Sequence, residues 1–537
     1  MTRLAEWTML SHGWRRFLLM LVAGAVAALS IPPLFVLPAL FATFPLWVWA
    51  LDGAERRTGL GRIFGPAFWI GFAFGWGYFT VAFHWLGAAF LLEGGWYLVP
   101  MPFAILALAA LIALFWGLAS ALAHLCWSHG VWRIVTLAAF LSAAEYARGT
   151  LFSGFPFDLL GYALTATTEM MQSASIVGVY GLTALAALLA MTPALIWPAD
   201  GRAIAPRLVP FVLAIAVIAA MLGWGHVRLQ STPVTARTDM KVRMVQPVIT
   251  EHSDWAAANP PDIVSRLIDL SSARTGPSDP GLADKTQVIW PESVFPFFMS
   301  QYPEGLARIA RMLPDKTMLL TGAPREPDRD PANPDDTNPG YNSLLAIDTN
   351  GEIVASYDKS HLVPFGEYLP FQNFWKLFGI RQFVPGTNGW APGNGKRLMS
   401  PPGMPSFIAL ICYEAIFSGD LGADPAEAQF LLNISNDEWF DGSIGPAQHA
   451  HHALLRAVET GLPLLRVTNS GVTFAADPLG RITASLAPYE PGVLDVVPAN
   501  KIAETVFDRF GNWPFLIVVL LGIVLAVLTR TRKPRPL

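Results

Sequence analysis

The sequence predicts two fold classes in one chain: a polytopic α-helical membrane domain with eight transmembrane helices, and an α/β domain inserted before the last of them. Three observations predict this. Of 537 residues, 53% are hydrophobic and only 14% charged, with a mean hydropathy of +0.42, too apolar for an ordinary soluble chain. Charge is unevenly spread, because only 19 of the charged residues (36 Lys and Arg, 40 Asp and Glu in all) lie in 1–230. From 238 to 503, short β-rich apolar runs alternate with helical stretches. The expected organisation is therefore a membrane domain of seven spans over 1–230, a soluble block over 231–503 with its own core, and a final span with a basic tail over 508–537.

Apolar segments of spanning length lie near 17–31, 34–51, 64–86, 99–126, 131–148, 175–197, 208–225 and 514–530. Arg15-Arg16 before the first run resembles a signal peptide, but no cleavage site follows, so a retained span is expected. Arg133, Glu145 and Arg148 interrupt the fifth segment; Glu145 and Arg148 share a helix face, as an intramembrane pair or as interfacial groups. Arg3, Arg15, Arg16, Arg56, Arg57, Arg62, Arg133, Arg202 and Arg207 fall in alternate connections, and Arg530, Arg532, Lys533 and Arg535 close the chain. The connections around 32–33, 87–98 and 149–174 have no Lys or Arg. That pattern predicts cytoplasmic termini and an extracytoplasmic α/β domain. A net charge of −4 carries no basic signature, which argues against a nucleic-acid partner.

In the soluble block, strands are expected at Met240–Gln246, Gln287–Trp290, Thr317–Thr321, Leu344–Ile347, Ile353–Tyr357, Phe407–Cys412, Phe430–Ile434, Leu464–Thr468 and Val472–Ala475. Helices are expected over 261–273, 304–313 and 445–460, and 324–339, rich in Pro, Asp and Asn, reads as a solvated loop.

Only two cysteines occur, which excludes a disulfide framework in the soluble block and a CxxC metal site. Cys126 lies in an apolar run expected within the membrane. Cys412, ending Phe407-Ile-Ala-Leu-Ile-Cys412-Tyr-Glu414, is either a packed thiol or a nucleophile. A nucleophile needs a base or a positive field. Glu292 follows one strand and can accept a proton; Lys359 follows another and can stabilise a thiolate and an oxyanion. His449, His451 and His452 invite a metal reading, but no carboxylate or Cys joins them at zincin spacing, so packing and polar contacts are expected instead.

As a set, Glu292, Lys359 and Cys412 in these local sequences resemble the Glu-Lys-Cys triad of the carbon–nitrogen hydrolase (nitrilase) superfamily, with Asn433-Ile-Ser-Asn-Asp437 as a matching strand and turn. The resemblance implies an αββα sandwich over roughly 240–500. With seven spans before it and one after, the whole chain resembles the apolipoprotein N-acyltransferases of Gram-negative bacteria. Tyr357-Asp-Lys359, Leu362-Val-Pro-Phe-Gly-Glu367-Tyr-Leu-Pro370, Asn436-Asp-Glu-Trp439-Phe440, Gly445-Pro446, Gln448-His449 and Gly154-Phe-Pro156 carry that likeness. One departure is Asp441-Gly442, where the family usually has Gly-Asp.

The resemblance implies a ping-pong reaction. Cys412, deprotonated by Glu292, takes an sn-1 acyl chain from a phospholipid, expected to be phosphatidylethanolamine. The thioester then acylates the α-amine of a lipoprotein's diacylglyceryl-modified N-terminal cysteine. It also implies support of the triad by Glu367 and Glu414, and substrate placement by Trp255, Tyr413 and Trp439. No cofactor or metal, a monomer, and a place in the bacterial inner membrane with a periplasmic catalytic domain are expected. Independently, aromatics in Phe371-Gln-Asn-Phe374-Trp375-Lys-Leu-Phe378 share one helical face, either a lipid-facing gate or a packing face, and the three Phe of Ser293–Met299 are expected to add apolar surface near Glu292. The competing reading is a membrane-anchored amidohydrolase that passes the acyl group of a small amide or nitrile to water.

Overall fold

The computed structural model describes residues 2–197, 204–249, 259–327, 340–370, 377 and 389–530. The chain divides into two compact units, one comprising Met1–Ser231, Gly442–Gln448 and Thr505–Leu537, the other Thr232–Asp441 and His449–Glu504.

The first unit is helical. Its main helices are α1 (Gly13–Ala27), α2 (Pro38–Asp52), α3 (Pro66–Ala82), α4 (Met101–Leu125), α5 (Trp132–Thr150), α6 (Ala174–Met191) and α7 (Ala205–Ser231), with a C-terminal helix, Trp513–Thr529. Among the described residues, four are long and apolar enough to cross a membrane: Gly13–Ser30, Met101–Leu125, Ala174–Leu195 and Ala205–Ser231. The α2, α3 and C-terminal helices have 15, 17 and 17 residues. α1 and α3 cross at small residues: a Cβ added at Gly24 would lie 1.8 Å from Phe74 O, and one at Gly77 1.8 Å from Leu21 O. Removing the side chain lets the two backbones meet, which is how apolar helices associate where burial alone gives little preference.

Glu145 and Arg148 form a fully buried pair, with Arg148 Nη2 2.9 Å from Glu145 Oε2. Trp116 Nε1 donates to Glu145 at 2.8 Å, and the Arg148 guanidinium donates to the carbonyls of Phe155 and Phe157. The two side chains are therefore paired and buried within this unit. The pair ties the Gly154-Phe-Pro156 loop to α5 and satisfies backbone acceptors that have no helical partner.

The second unit is built on two six-stranded sheets. One has the order β12-β1-β2-β3-β4-β5, from β1 (Val242–Gln246), β2 (Gln287–Ile289), β3 (Met318–Arg325), β4 (Tyr341–Ile347), β5 (Ile353–Asp358) and β12 (Gly492–Val496). The other has the order β11-β10-β9-β8-β7-β6, from β6 (Leu398–Met399), β7 (Phe407–Ile411), β8 (Phe430–Ser435), β9 (Leu464–Thr468), β10 (Phe474–Ala476) and β11 (Ile482–Ser485). In each sheet the three central strands are parallel and the flanking ones antiparallel.

Alternation sorts the side chains into layers. Met244, Ile289, Leu320 and Leu344 from one sheet share a core with Ala409, Ile411, Leu432 and Val467 from the other. Their neighbours Val245, Val288, Leu319 and Leu345 face the opposite way and pack with Ile263, Val264 and Leu267 of α8 (Pro260–Ser272) and Ile309 of α9 (Pro303–Met312). Helix α10 (Gly445–Thr460) contributes His449 to contacts with Asp437 and with Arg466 of β9. Two faces of apolar residues per sheet explain why the central strands read as continuous apolar runs.

Two expectations are corrected. The loop read from Pro324 begins later: β3 continues to Arg325, with Pro324 opposite Asn342 of β4. On its β2 side β3 is bonded as far as Gly322, whose N–H donates to Pro291 O at 3.1 Å; among the described residues no strand pairs with that side beyond it, so a missing proline N–H forfeits no ladder bond. Residues 328–339 lie outside the described residues. Phe295 is not apolar surface but fully buried core, 6.0 Å from Trp290.

Candidate active site

Cys412 stands where β7 gives way to the 3-10 turn Cys412–Ile416, and its φ of +48° places a non-glycine residue in the left-handed region. That conformation costs on the order of 1–2 kcal/mol and persists only where the surroundings impose it. Glu414 Oε2 accepts the Ile411 N–H at 2.8 Å on one side, and His449 Nε2 lies 3.0 Å from the Cys412 carbonyl oxygen on the other.

Glu292 follows β2 through Trp290-Pro291 and is 4% exposed. A Cβ at Gly322 of the neighbouring β3 would lie 2.5 Å from Glu292 Cα and 2.6 Å from Pro291 O, so only glycine allows the two backbones to approach this closely. Lys359 comes directly after β5, its N–H donating to Asn342 O at 2.8 Å. Its Nζ, 1% exposed as a residue, lies 3.2 Å from Glu292 Oε1 and 2.9 Å from Glu367 Oε1. Asn342 Nδ2 donates to the same two oxygens at 2.7 and 3.0 Å. The remaining oxygens are also engaged: Glu292 Oε2 accepts from Asn436 N–H at 2.9 Å, and Glu367 Oε2 from Val363 N–H at 2.8 Å.

Burial by itself would lower the Lys359 pKa, but the charges of Glu292 and Glu367, with Cys412 beside them, outweigh it and hold the ammonium well above its ordinary value. Lys359 is therefore a fixed cation. Burial raises the Cys412 pKa, and the negative charges of Glu292 and Asp437 add to that; Lys359 and a hydrogen bond with Ser435 oppose it without prevailing. The resting sulfur is accordingly a thiol, and attack on an acyl carbon requires its proton to leave as the new bond forms.

Glu414 is fully buried and ties two strand ends together. Its Oε1 accepts from Tyr357 Oη at 2.7 Å, from the Ser360 N–H and hydroxyl at 2.9 Å each, and from the His361 N–H at 3.1 Å; Arg397 Nε lies 3.5 Å away. Burial opposes its charge, but Arg397 and these donors keep its pKa below the ordinary range. Glu414 thus fixes the segment after Lys359 to the turn that bears Cys412.

A second polar cluster surrounds Asp437, which accepts from Ser435 Oγ at 2.8 Å and pairs with Arg466 Nη2 at 2.7 Å and His449 Nδ1 at 2.9 Å. Burial disfavours this carboxylate, yet Arg466 and then His449 hold its pKa well below the usual value. The ligating atoms of Cys412, Asp437 and His449 lie within 4.8 Å of one another, a set with the right donor types for a divalent cation. Arg466 already occupies Asp437, so a cation there would have to compete with a buried guanidinium. Helical spacing does not reveal this cluster, because its carboxylate lies in the turn just after β8.

The structure brings Glu292, Lys359 and Glu367 into contact, and Glu414 into contact with the Cys412 turn. Tyr413 is buried, its ring edge-on to Phe417 at a 5.2 Å centroid distance. Trp439 is half-buried in the turn Glu438–Phe440. Trp255 and the whole aromatic face of Phe371, Phe374, Trp375 and Phe378 lie outside the described residues. At Asp441-Gly442 the glycine occupies a φ of +72°, and burial, against an opposing Ser470 hydrogen bond, raises the Asp441 pKa to about 6. Sequence reasoning missed Asn342 and Arg466; the one signal available was a polar or charged residue inside an otherwise apolar strand, Tyr341-Asn-Ser-Leu-Leu and Leu464-Leu-Arg-Val.

Residues 23–192 match the family described as the apolipoprotein N-acyltransferase N-terminal domain, and residues 287–499 match carbon-nitrogen hydrolase. The chain is 38% identical over 536 residues to an apolipoprotein N-acyltransferase of Rhodopseudomonas palustris, covering 99% of this chain and 98% of the relative. It is 38% identical over 530 residues to one of Bradyrhizobium diazoefficiens (98% and 97% covered) and 39% identical over 528 to one of Agrobacterium fabrum (98% of each). Among solved structures, an amidase from Nesterenkonia sp. AN1 aligns with 53% of this chain and 97% of its own, at 17% identity and a TM-score of 0.33. With relatives this similar from end to end, the chain belongs to the apolipoprotein N-acyltransferase family.

Proposed function

We propose that this protein N-acylates the α-amine of the diacylglyceryl-modified N-terminal cysteine of apolipoproteins, drawing the acyl chain from the sn-1 position of a phospholipid through a thioester on Cys412. The observation that carries the reading is a buried base and a buried cation in direct contact, Glu292 and Lys359, acting on a strained strand-end thiol in a chain of this family.

In the first half-reaction, Sγ bonds to the acyl carbon while the thiol proton passes to Glu292, since the thiol does not ionise by itself at neutral pH. The carbonyl oxygen gains charge, which Lys359 and a backbone N–H of the Cys412 turn stabilise. Glu292 returns the proton to the departing alkoxide of the lysophospholipid. In the second half-reaction the α-amine attacks the thioester carbon, the amine proton passes to Glu292, and the sulfur leaves and is reprotonated. Asn342 and the Asn436 N–H fix the Glu292 carboxylate for both transfers. Glu367 and Glu414 support this machinery, and Trp255, Tyr413, Trp439, Phe374 and Trp375 place the substrates.

The domain plan that goes with this function is a seven-span region over 1–230, a periplasmic catalytic block over 231–503 and a last span over 508–537, in the bacterial inner membrane with both termini cytoplasmic. The four spanning-length apolar helices and the arginine pattern support it. A monomer suffices, because the triad comes from one chain. The test is intact-mass analysis of the protein incubated with phosphatidylethanolamine vesicles, then with a diacylglyceryl peptide. A hydroxylamine-sensitive acyl adduct on Cys412 that moves to the peptide amine supports the reading. Free fatty acid with neither adduct nor acylated peptide refutes it and favours a hydrolase.

A further inference from the structure

His449 contacts the nucleophile's own backbone. Its Nε2 lies 3.0 Å from the Cys412 carbonyl oxygen, and its Nδ1 lies 2.9 Å from Asp437 Oδ1 and 3.3 Å from Arg466 Nη2. Both ring nitrogens thus face acceptors. As an imidazolium, the ring donates from Nδ1 to Asp437 and from Nε2 to the carbonyl. As a neutral ring it has one N–H for two acceptors: with the proton on Nε2 it donates to the carbonyl and accepts at Nδ1 from Arg466, but sets the Nδ1 lone pair against Asp437 Oδ1. The opposite tautomer would set an Nε2 lone pair against a carbonyl oxygen. Only the imidazolium satisfies both acceptors, and in it the Nε2 proton is committed to Cys412 C=O, so the arrangement of Cys412, His449 and Asp437 is not that of a nucleophile and its base.

The peptide that receives this bond joins Cys412 to Tyr413. A peptide is planar and trans, so its C=O and N–H point in opposite directions. Holding the oxygen therefore fixes the direction of the Tyr413 N–H, and a donor on the carbonyl polarises the unit and strengthens the N–H as a donor. The bond also restrains the peptide on one side of the left-handed Cys412, as Glu414 restrains the other through the Ile411 N–H.

We propose that His449 is a positioning residue of the acyl transfer: through Nε2 it orients and polarises the Cys412–Tyr413 peptide, whose N–H is the backbone donor to the acyl oxyanion, with Asp437 and Arg466 holding the ring. This rests on Cys412 being the acylated nucleophile. The test compares wild type, His449→Phe and His449→Gln as full chains in phospholipid vesicles. It measures single-turnover acylation of Cys412 against phospholipid concentration, and alkylation of Cys412 by iodoacetamide, which forms no oxyanion.

His449→Phe keeps the ring without a donor. It is expected to lower the maximal acylation rate about 10- to 100-fold, at or below the roughly 100-fold minimum that outright loss of an oxyanion donor costs, because the donor is misdirected and not removed, with half-saturation and alkylation within about threefold of wild type. His449→Gln, which retains an N–H donor but cannot act as a base at neutral pH, is expected to recover acylation to within about fivefold of wild type. Gln acylating no better than Phe, wild-type acylation by Phe, or alkylation falling in parallel with acylation would each overturn the proposal. Should Phe fail to fold, His449→Asn, too short to reach the carbonyl, takes its place in the same comparison. Absence of any adduct on the wild type would instead refute the function on which the proposal rests.

Discussion

Asn342 makes a sharp test of how the base is held. Its Nδ2 donates to Glu292 at 2.7 Å and to Glu367 at 3.0 Å, beside Lys359 Nζ at 3.2 and 2.9 Å from the same oxygens. Asn342→Leu keeps the volume but deletes two hydrogen bonds to charged groups, each contributing about 1.5–3 kcal/mol. If only the Glu292 bond bears on proton transfer, acylation should slow by about 10- to 100-fold. Asn342→Asp probes the sign. A carboxylate about 3 Å from each glutamate meets two repulsions of about 5 kcal/mol at an effective dielectric of about 20, against one comparable attraction to Lys359. It will therefore bind a proton more tightly than a free Asp. Below its raised pKa it is neutral and can donate as the amide did; above it, the added charge disorders the pair. Relative to wild type, Asn342→Asp should thus lose acylation as pH rises and recover it as pH falls. The assay is single-turnover thioester formation by intact mass from about pH 5 to 9. A wild-type rate for Asn342→Leu, or a constant ratio of Asn342→Asp to wild type across that range, would refute the reasoning.

Gly322→Ala should cut acylation at least about tenfold, because its Cβ would displace the backbone at Glu292; unchanged kinetics would show that β3 yields without moving the base. Because burial and Glu292 raise the Cys412 pKa, iodoacetamide alkylation should climb with pH through about 8.5, the free-thiol value, without levelling off; a plateau below pH 7 would mean a preformed thiolate. Glu414→Gln breaks a fully buried carboxylate–Arg397 pair and should cost about 3–5 kcal/mol, read as a lower Tm. The depressed pKa of Glu414 also means its stabilisation is complete above the unfolded carboxylate pKa of about 4.3 and is lost as pH falls through the folded value. Acid unfolding of Glu414→Gln should therefore be less steep, and an identical acid transition would contradict this.

The central strands were legible because buried parallel strands are apolar on both faces, as in Phe407–Ile411 and Phe430–Ser435. The strands that escaped, β6, β11 and β12, are short or exposed, and Ile482–Ser485 carries no burial signal at all. The candidate site was legible only at its charged strand ends. Asn342, Arg466 and the bond from His449 to the Cys412 carbonyl were not, since each joins residues from separate strands or helices and leaves no local period. Glu145 and Arg148 were visible as ionisable residues in an apolar segment, but whether they paired depended on Trp116 and the 155–157 carbonyls reaching the same point.

What the sequence alone determined is a membrane region followed by an α/β domain, and a single soluble-domain thiol with one carboxylate and one ammonium at strand ends as candidate partners. Hydropathy, charge and strand patterning are local properties, summed along the chain, so they survive without coordinates. Only the tertiary structure decided that Glu292 and Glu367 share one lysine and one amide, and that Glu414 joins the Lys359 segment to the Cys412 turn. It alone decided that burial and the Glu292 charge raise the thiol pKa further. Apart from Lys359 and Glu367, these outcomes depend on distances of about 3 Å between residues tens to more than a hundred positions apart, and on burial that makes each such contact count. Neither is written in any short stretch of sequence.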